Sequence, residues 1–374
     1  MFRLKTFLVC AIVASLLLFG SLLTPGLADG GSNHRVRNLN FGVSGGNVND
    51  ISRRFCCSGT LGALITDGTN QYILSNNHVV GRSGQAVAGE DVSQPGLIDN
   101  NCNIATVVAD FTGSAPLGPS NVDASVAQLR PGLMNSSGFI EDIGVPSSTI
   151  VNASVGLSVA KSGRTTGFTT GSVTATNASV TISYSASCGG GGKKTNVNFT
   201  NQIVIAPGAF SAGGDSGSLI VTNNAAHSPV GLLFAGSSSV TIANPIGEVL
   251  TRLGTALGRT FSFGGGGGGG GSASPRGDQG SGGRRPFTPG VENLMRTLPE
   301  QASDRALAVL EQHRANLMFT PGIIGAGIGA SGRADGEAAI IIFVNQNASH
   351  RPFVPDSIDG IPVTVILTDE FVAR

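Results

Sequence analysis

The stretch APGAFSAGGDSGSLIVTNN, residues 206–224, places an acid and a serine between glycines, just before a run of alternating strand character. Glycine adopts backbone conformations that other residues disfavour, so a cluster of glycines indicates a turn with an unusual backbone shape. One use of such a turn is to point amide N–H groups at a negative charge. A polar surface turn is the alternative, and the rest of the chain has to distinguish the two.

The composition is typical of an extracellular protein built from strands and turns. The 374-residue chain has 23 basic and 23 acidic residues, so its net charge gives no reason to expect nucleic acid as a partner. Charged residues make up only 12% of the chain, tryptophan is absent, and 56 residues are glycine. These values favour an all-β fold.

The first 28 residues have the order of a secretory signal peptide. Arg3 and Lys5 precede an apolar run at 7–19, and Gly26 and Ala28 suit cleavage after Ala28. The run is short for a membrane span, although an uncleaved anchor is the alternative. We therefore predict a secreted or periplasmic protein with no membrane span after cleavage of residues 1–28.

Four cysteines remain after the signal: Cys56, Cys57, Cys102 and Cys188. In an exported protein they predict disulfides, and four cysteines allow three connectivities. Cys56 and Cys57 are not expected to pair with each other, because adjacent residues would close a strained ring. No CxxC or histidine-rich spacing indicates zinc, and we predict neither a metal nor a cofactor.

Composition and periodicity divide the mature chain into four segments. Residues 29–55 are polar and rich in glycine and asparagine, which predicts a flexible arm. Residues 56–260 alternate short strands with turn signals and end in a helical pattern at 245–257, which predicts a sandwich or barrels with a closing helix. Eight consecutive glycines lie in a linker at 261–286. Residues 287–374 have helical spacing, a hairpin pattern and a further strand, which predicts a small α+β accessory domain.

Three residues outside the linker and arm could form a catalytic triad. Hydrolysis of an amide needs a nucleophile, a base, a group that orients the base, and donors for the oxyanion. His78 in SNNHVV ends a predicted strand, Asp123 in VDASVAQL begins one, and Ser216 lies in the glycine-rich turn. Each has a structural alternative alone, but the three together favour the triad.

In these motifs the chain resembles the chymotrypsin-like (trypsin-fold) serine proteases, over about residues 56–257. The order His, Asp, Ser and the gaps of 45 and 93 residues are similar to those of that family. The segment AKSGRTTGFTTGSVTATNASV, residues 160–180, resembles the bacterial α-lytic protease and streptogrisin group. The resemblance implies a mostly β fold of two antiparallel six-stranded barrels with a closing helix, and a site in the cleft between them.

The resemblance also implies a role for each residue of the turn. Ser216 would attack, His78 would accept its proton, and Asp123 would orient the imidazole. The backbone amides of Gly214 and Ser216 would form the oxyanion hole. Asp215 would be turned inward and would need a cationic partner, for which the resemblance suggests Lys161 or Arg164.

Other positions depart from the family or define its specificity. The resemblance places the specificity pocket at Phe210, Phe234, Ala235 and Gly236, which hold no acid for a basic P1 side chain and favour small or apolar P1 residues. Phe234 also stands where a serine often supports the triad aspartate. For the disulfides, the resemblance favours Cys57 with Cys102 and leaves the partner of Cys188 open.

We interpret the chain as a secreted serine endopeptidase that acts on proteins or peptides through an acyl-enzyme. The alternative is a catalytically idle binding or scaffold protein with a protease fold. For residues 287–374 we hypothesise intramolecular regulation of the protease, with a passive spacer or adhesion module as the alternative.

Overall fold

The structure is a computed structural model that describes residues 34–52, 55–185, 188, 193–264 and 297–373. The predicted signal peptide lies outside the described residues, as do most of the predicted linker and the helical pattern at 291–296. The strands are β1 (Val43–Asn47), β2 (Ile51–Ser52), β3 (Phe55–Cys56), β4 (Gly59–Leu61), β5 (Ala63–Thr66), β6 (Gln71–Ser75), β7 (Asp91–Gln94), β8 (Thr106–Ser114), β9 (Ser125–Leu129), β10 (Ser158–Gly163), β11 (Gly167–Ser185), β12 (Lys194–Ala206), β13 (Leu219–Thr222), β14 (Pro229–Gly236), β15 (Thr241–Pro245), β16 (Ser262–Phe263), β17 (Ile323–Ala330), β18 (Ala338–Asn345), β19 (Ser357–Ile358), β20 (Ile361–Thr368) and β21 (Val372–Ala373). The helices are α1 (Asn77–Val80), α2 (Ile246–Leu257) and α3 (Glu300–Phe319).

The first barrel consists of β1 and β4–β9, with β16 paired to β5. β4 and β5 form one strand interrupted at Gly62, whose amide donates to the Leu74 carbonyl at 3.0 Å. Because β1 pairs with both β4 and β7, the sheet closes on itself. A Cβ at Gly62 would lie 1.8 Å from the Gly217 carbonyl oxygen, so the barrel wall requires glycine where it meets the Ser216 turn.

The second barrel consists of β10–β15 and is closed by the pairing of β10 with β11. β11 runs for 19 residues and replaces two separate strands that the sequence predicts at 172–175 and 179–184. Register shifts between Val173 and Val180 explain the apparent break, since bulges disturb the period-2 alternation. α2 follows the second barrel and buries Ile246, Val249 and Leu253, as its spacing predicts. The predicted fold of two barrels and a closing helix is confirmed.

Two predicted boundaries are corrected by the structure. Residues 41–48, assigned to the flexible arm, are buried, and β1 is a wall of the first barrel. The arm has low hydrophobicity because Gly45 packs directly on Leu61, where a Cβ would lie 2.3 Å from the leucine Cγ. Residues 261–264, assigned to the linker, also belong to the first barrel: Phe261 and Phe263 are buried, and Phe263 pairs with Ile65.

Residues 297–373 extend the sheet of the second barrel. The predicted hairpin is β17–β18, and the further strand is β20, which runs parallel to β18. β17 pairs antiparallel with β11, with Ile328 opposite Thr176. α3 covers one face of these strands, while Ile341 and Phe343 on the other face share a core with Phe199 of the barrel. None of the helices in the described ranges is long and apolar enough to cross a membrane.

Candidate active site

His78 and Asp123 are brought together by two neighbouring strands. His78 lies in α1 directly after β6, Asp123 lies just before β9, and the two strands pair with Ser75 opposite Ser125. Nδ1 of His78 lies 2.6 Å from Oδ2 of Asp123, and the His78 amide donates to Oδ1 at 3.1 Å. Asp123 is fully buried, whereas 13% of the His78 side chain is exposed. The carboxylate therefore fixes the orientation of an imidazole that still reaches the surface.

A tyrosine from the second barrel also holds this carboxylate. Tyr184 on β11 donates its hydroxyl to Oδ2 of Asp123 at 2.8 Å. Burial, and then the Asp123 charge, raise the pKa of Tyr184 well above its ordinary value, so the phenol stays protonated and able to donate. Phe234, in place of the expected serine, packs its ring against Phe199 with centroids 5.0 Å apart. Tyr184 therefore supplies the donor that Phe234 lacks.

Sequence reasoning missed Tyr184. A usable signal was present in the sequence. Phe234 stands where the family often has a serine, so a buried Asp123 needs a hydrogen-bond donor from elsewhere. The chain has only two tyrosines, and Tyr184 ends the predicted strand at 179–184, in which polar and apolar residues alternate. The spatial neighbourhood of the two residues depends on how the barrels meet, which no local pattern specifies.

The turn around Ser216 depends on two glycines with left-handed backbone conformations. Gly214 has a φ of +98° and Gly217 a φ of +95°, values that L side chains rarely adopt. A Cβ at Gly217 would also lie 2.2 Å from the Thr60 carbonyl oxygen, and one at Gly214 would lie 2.4 Å from Nη1 of Arg164. Gly214 and Gly217 are therefore required by both conformation and space.

Ser216 lies against the first barrel, close to the helix that carries His78. The Thr60 amide donates to the Ser216 carbonyl at 2.8 Å. Gly59 separates Ser216 from α1, because a Cβ there would lie 2.9 Å from the Ser216 carbonyl oxygen and 2.6 Å from Cγ2 of Val79. The Ser216 hydroxyl donates to the Phe234 carbonyl at 3.2 Å, and the residue has no exposed surface.

The amides of Gly214 and Ser216 remain the predicted donors of the oxyanion hole. Among the residues that the structure describes, no acceptor is hydrogen-bonded to the amide of Gly214 or Ser216. Gly214 lines the same cleft as His78. Amides fixed in a rigid turn stabilise a developing negative charge without reorganisation during the reaction.

Asp215 fixes the shape of the turn from inside. Its carboxylate is fully buried and accepts hydrogen bonds from the amides of Thr165, Thr166 and Ala212 at 2.8, 3.1 and 2.9 Å. The Thr166 hydroxyl donates to Oδ2 at 2.7 Å, and Nζ of Lys161 lies 3.6 Å from the same oxygen. These contacts connect the turn to β10 and to the start of β11.

Of the two cations expected beside Asp215, Lys161 is the one that lies there. Lys161 is fully buried beside it, and its Nζ also donates to the Gly167 carbonyl at 2.8 Å. Burial lowers the pKa of Lys161 to about 8, against the opposing effect of Asp215. The expectation that Arg164 could pair with Asp215 is wrong, because its guanidinium donates instead to both oxygens of Asp99, at 2.6 and 2.7 Å.

The expected pocket residues are all buried. The Phe210 side chain belongs to the core of the second barrel, and Phe234 belongs to the core that the barrel shares with residues 297–373. Neither lines the cleft that contains His78. Ala235 and Gly236 lie at the end of β14, where their backbones pair with β21. Neither phenylalanine side chain reaches this cleft, and the P1 preference stays a prediction.

The disulfide prediction is corrected. Cys102 pairs with Cys56, and Cys57 pairs with Cys188, so the favoured Cys57–Cys102 bond is not formed. Cys56 ends β3 and is buried, and successive side chains of an extended chain point to opposite sides. Adjacent cysteines therefore meet different partners, and the Cys57 bond joins the first barrel to the loop after β11.

A cleft of about 600 Å³ contains His78 and Gly214. Asp50 and Arg82 line it on the side of the first barrel, and Val372 and Ala373 line it on the other. Burial raises the pKa of Asp50 to about 6, opposed by Arg82 and His78. The cleft therefore combines the candidate base, a candidate oxyanion donor and one further titratable carboxyl group.

Comparisons with known proteins identify the family of the chain. Among solved structures, the chain is similar to a glutamic acid-specific serine protease (23% identity, TM-score 0.41, 60% of this chain and 98% of that one), to Thermobifida fusca Protease A (18%, 0.40, 60% and 99%) and to Cellulomonas bogoriensis chymotrypsin (17%, 0.38, 59% and 97%). No curated protein sequence matches the chain. The sequence model of the Trypsin family matches residues 36–254, more than half of the chain. The protein therefore belongs to the trypsin family of serine proteases.

Proposed function

We propose that the protein is a secreted serine endopeptidase whose catalytic unit comprises residues 34–264. Ser216 attacks the scissile carbonyl carbon, and His78 takes the serine proton and then returns it to the leaving amine. Water hydrolyses the resulting acyl-enzyme with the same histidine as base. Asp123 keeps the imidazole in the productive tautomer and stabilises its positive charge.

The amides of Gly214 and Ser216 are proposed to hold the oxyanion of each tetrahedral intermediate. Removal of one such donor typically lowers kcat by about 10²–10³-fold. Asp215 supports these amides indirectly, because its carboxylate accepts four hydrogen bonds around the turn.

One observation carries the proposal. The Asp123 carboxylate is fully buried and makes the 2.6 Å contact with Nδ1 of His78, while the opposite end of the imidazole points away from it. A buried carboxylate of this kind orients a histidine for proton transfer, and a merely structural histidine would not need to remain at the surface of a cleft. The alternative, an idle scaffold, offers no reason for this arrangement.

A fluorophosphonate probe tests the nucleophile. After prolonged incubation, the full-length wild type is expected to be labelled at Ser216, and Ser216→Ala is expected to remain unlabelled. Ser349→Ala is the matched control, because Ser349 also contacts a histidine, His350, but lies exposed in the accessory region. A folded wild type that takes up no label would support the idle scaffold instead.

Endopeptidase activity and export need separate measurements. A quenched peptide blocked at both ends should be cleaved internally by the wild type and not by Ser216→Ala.

Residues 1–28 are proposed to direct export and to be removed after Ala28. Mature protein that begins at Asp29 should therefore appear outside the cytoplasm, and deletion of residues 7–19 should retain the protein inside the cell.

A further inference from the structure

The last described strand of the chain lies inside the candidate substrate cleft. β21 pairs in parallel with β11, with Val372 opposite Ser183, and antiparallel with β14, with Val372 opposite Gly236 and Ala373 opposite Ala235. The Ser183 amide donates to the Phe371 carbonyl at 2.9 Å. β21 is therefore a strand added between two edges of the second barrel.

The register sets the direction of this strand relative to the nucleophile. The Ser216 hydroxyl contacts the carbonyl of Phe234, the residue before Ala235. From Val372 to Ala373, the chain moves from Gly236 to Ala235 and so approaches Ser216. Val372 and Ala373 also share the cleft with His78 and Gly214.

Contacts outside the cleft hold the strand in place. Phe371 is fully buried and packs against Phe343, with ring centroids 5.6 Å apart. Removal of this apolar ring from water stabilises the strand in its position. Oδ1 of Asp369 accepts hydrogen bonds from the Ser238 amide and hydroxyl at 2.9 and 2.5 Å. The Thr368 hydroxyl donates to that of Ser237 at 2.7 Å.

These contacts fix the strand to the loop that directly follows β14. Its local concentration at the cleft is therefore high, on the scale of mM or more for short tethers. An extended peptide that adds to a sheet edge gains main-chain hydrogen bonds regardless of its side chains. A substrate that uses the same edge has to displace β21, and Ser216 has no exposed surface in its presence.

We infer that residues 371–373, here called the tail strand, occupy the peptide-binding edge of the protease in cis and inhibit it competitively. The inference rests on the proposed function, and it assigns the intramolecular regulation to one strand. Phe371 is the anchor, and Val372 and Ala373 are the residues that a bound peptide replaces. The occupant of the cleft is thus a short, uncharged, extended segment of this chain.

The test compares full-length variants by kinetics. Val372→Pro removes one main-chain donor from the tail strand and keeps the Phe371 anchor. A tail strand bound nine-tenths of the time raises the apparent KM about tenfold, so the variant should show a KM about tenfold lower with unchanged kcat. Its rate of fluorophosphonate labelling should rise by a similar factor.

Val372→Ile is the matched control, since it retains the donor and the strand preference and should behave as wild type. If Val372→Pro does not fold, a chain ending at Phe371 provides the same comparison. The amide-capped peptide TDEFVA, residues 368–373, should restore competitive inhibition of Val372→Pro. The same peptide with proline at its two final positions should not inhibit Val372→Pro.

The outcomes separate this inference from the proposed function. Equal KM and equal labelling rates in wild type and Val372→Pro would overturn the inference and leave the protease intact. Absence of labelling in both folded proteins would overturn the proposed function, and the inference with it. Faster labelling together with lower kcat at unchanged KM would also contradict competition by the tail strand.

Discussion

At the residue scale, the carboxylate of Asp123 is held from two barrels at once. His78 belongs to the first barrel and Tyr184 to the second, and both contact Oδ2. Tyr184 lines the cleft and its ring meets that of His78 edge-on, with centroids 6.0 Å apart, while its hydroxyl contacts Asp123, so we regard it as a positioning residue. A hydrogen bond to a charged group contributes about 1.5–3 kcal/mol, part of which serves the orientation of the histidine.

We therefore expect Tyr184→Phe to lower kcat about tenfold, with KM nearly unchanged. Steady-state kinetics on a quenched peptide measure both constants. Tyr72→Phe is the matched control, because the only other tyrosine donates to Asp67 outside the candidate site. A variant whose loss lies entirely in KM would show that Tyr184 shapes the cleft and does not position Asp123.

The triad stays a prediction from sequence motifs, and neither Tyr184 nor the disulfide pairing was predictable. His78, Asp123 and Ser216 each lie in a short motif whose neighbouring letters carry the information. The contact of Tyr184 with Asp123 joins residues 61 positions apart across two barrels. The choice of Cys56 over Cys57 for Cys102 depends on which way each side chain leaves one short strand.

At the element scale, the Ser216 turn is held by a buried ion pair. Lys161→Met should destabilise the protein, because removal of one partner of a buried pair typically costs about 3–5 kcal/mol. Urea unfolding measures this loss, and labelling at Ser216 should fall with it. Arg252→Met is the comparison, since Arg252 forms a partly exposed pair with Glu248 and leaves Asp215 its cation. Equal stability of Lys161→Met and wild type would contradict the assigned role.

The same lysine gives the stability a defined pH dependence. Its folded pKa of about 8 lies below the ordinary value of 10.5, so between these values the unfolded chain binds more protons at this site. The free energy of unfolding therefore gains from Lys161 as pH rises from 8 to 10.5, by up to about 1.4 kcal/mol per pH unit. Urea titrations should show this positive contribution as a slope difference between wild type and Lys161→Met. A difference of zero or of opposite sign would refute it.

Several elements were predictable from their hydrophobic patterns. Other elements were misassigned, and each misassignment has a physical cause. α2 and β20 follow clear periods, so their positions match the prediction. β1 was assigned to an arm because close packing against Leu61 requires glycines, and glycine carries no hydrophobic signal. β11 was divided because its bulges interrupt the alternation. Periodicity thus identifies regular elements and loses those in which close contact or irregularity dominates.

At the scale of the whole molecule, residues 297–373 are part of the protease sheet and its core. β17 covers an edge of β11, and Ile341 and Phe343 fill a core with Phe199. Deletion of residues 297–374 should therefore uncover a strand edge and apolar side chains, which promotes aggregation. Size-exclusion chromatography should find the truncated protein in large assemblies, with full-length Ser216→Ala as the soluble control. A monomeric, stable truncation would show that the accessory region is dispensable for the barrel.

The shared sheet also has a consequence in time. The chain is synthesised in the direction from β11 to β17, so β11 is complete well before the ribosome reaches β17, its partner at Ile328. At synthesis rates of about 5–20 residues per second, the edge of β11 stays unpaired on the order of ten seconds until β17 is made. During that interval the emerging protease exposes a bare strand edge, and whatever handles the nascent chain must keep it from pairing with a neighbour.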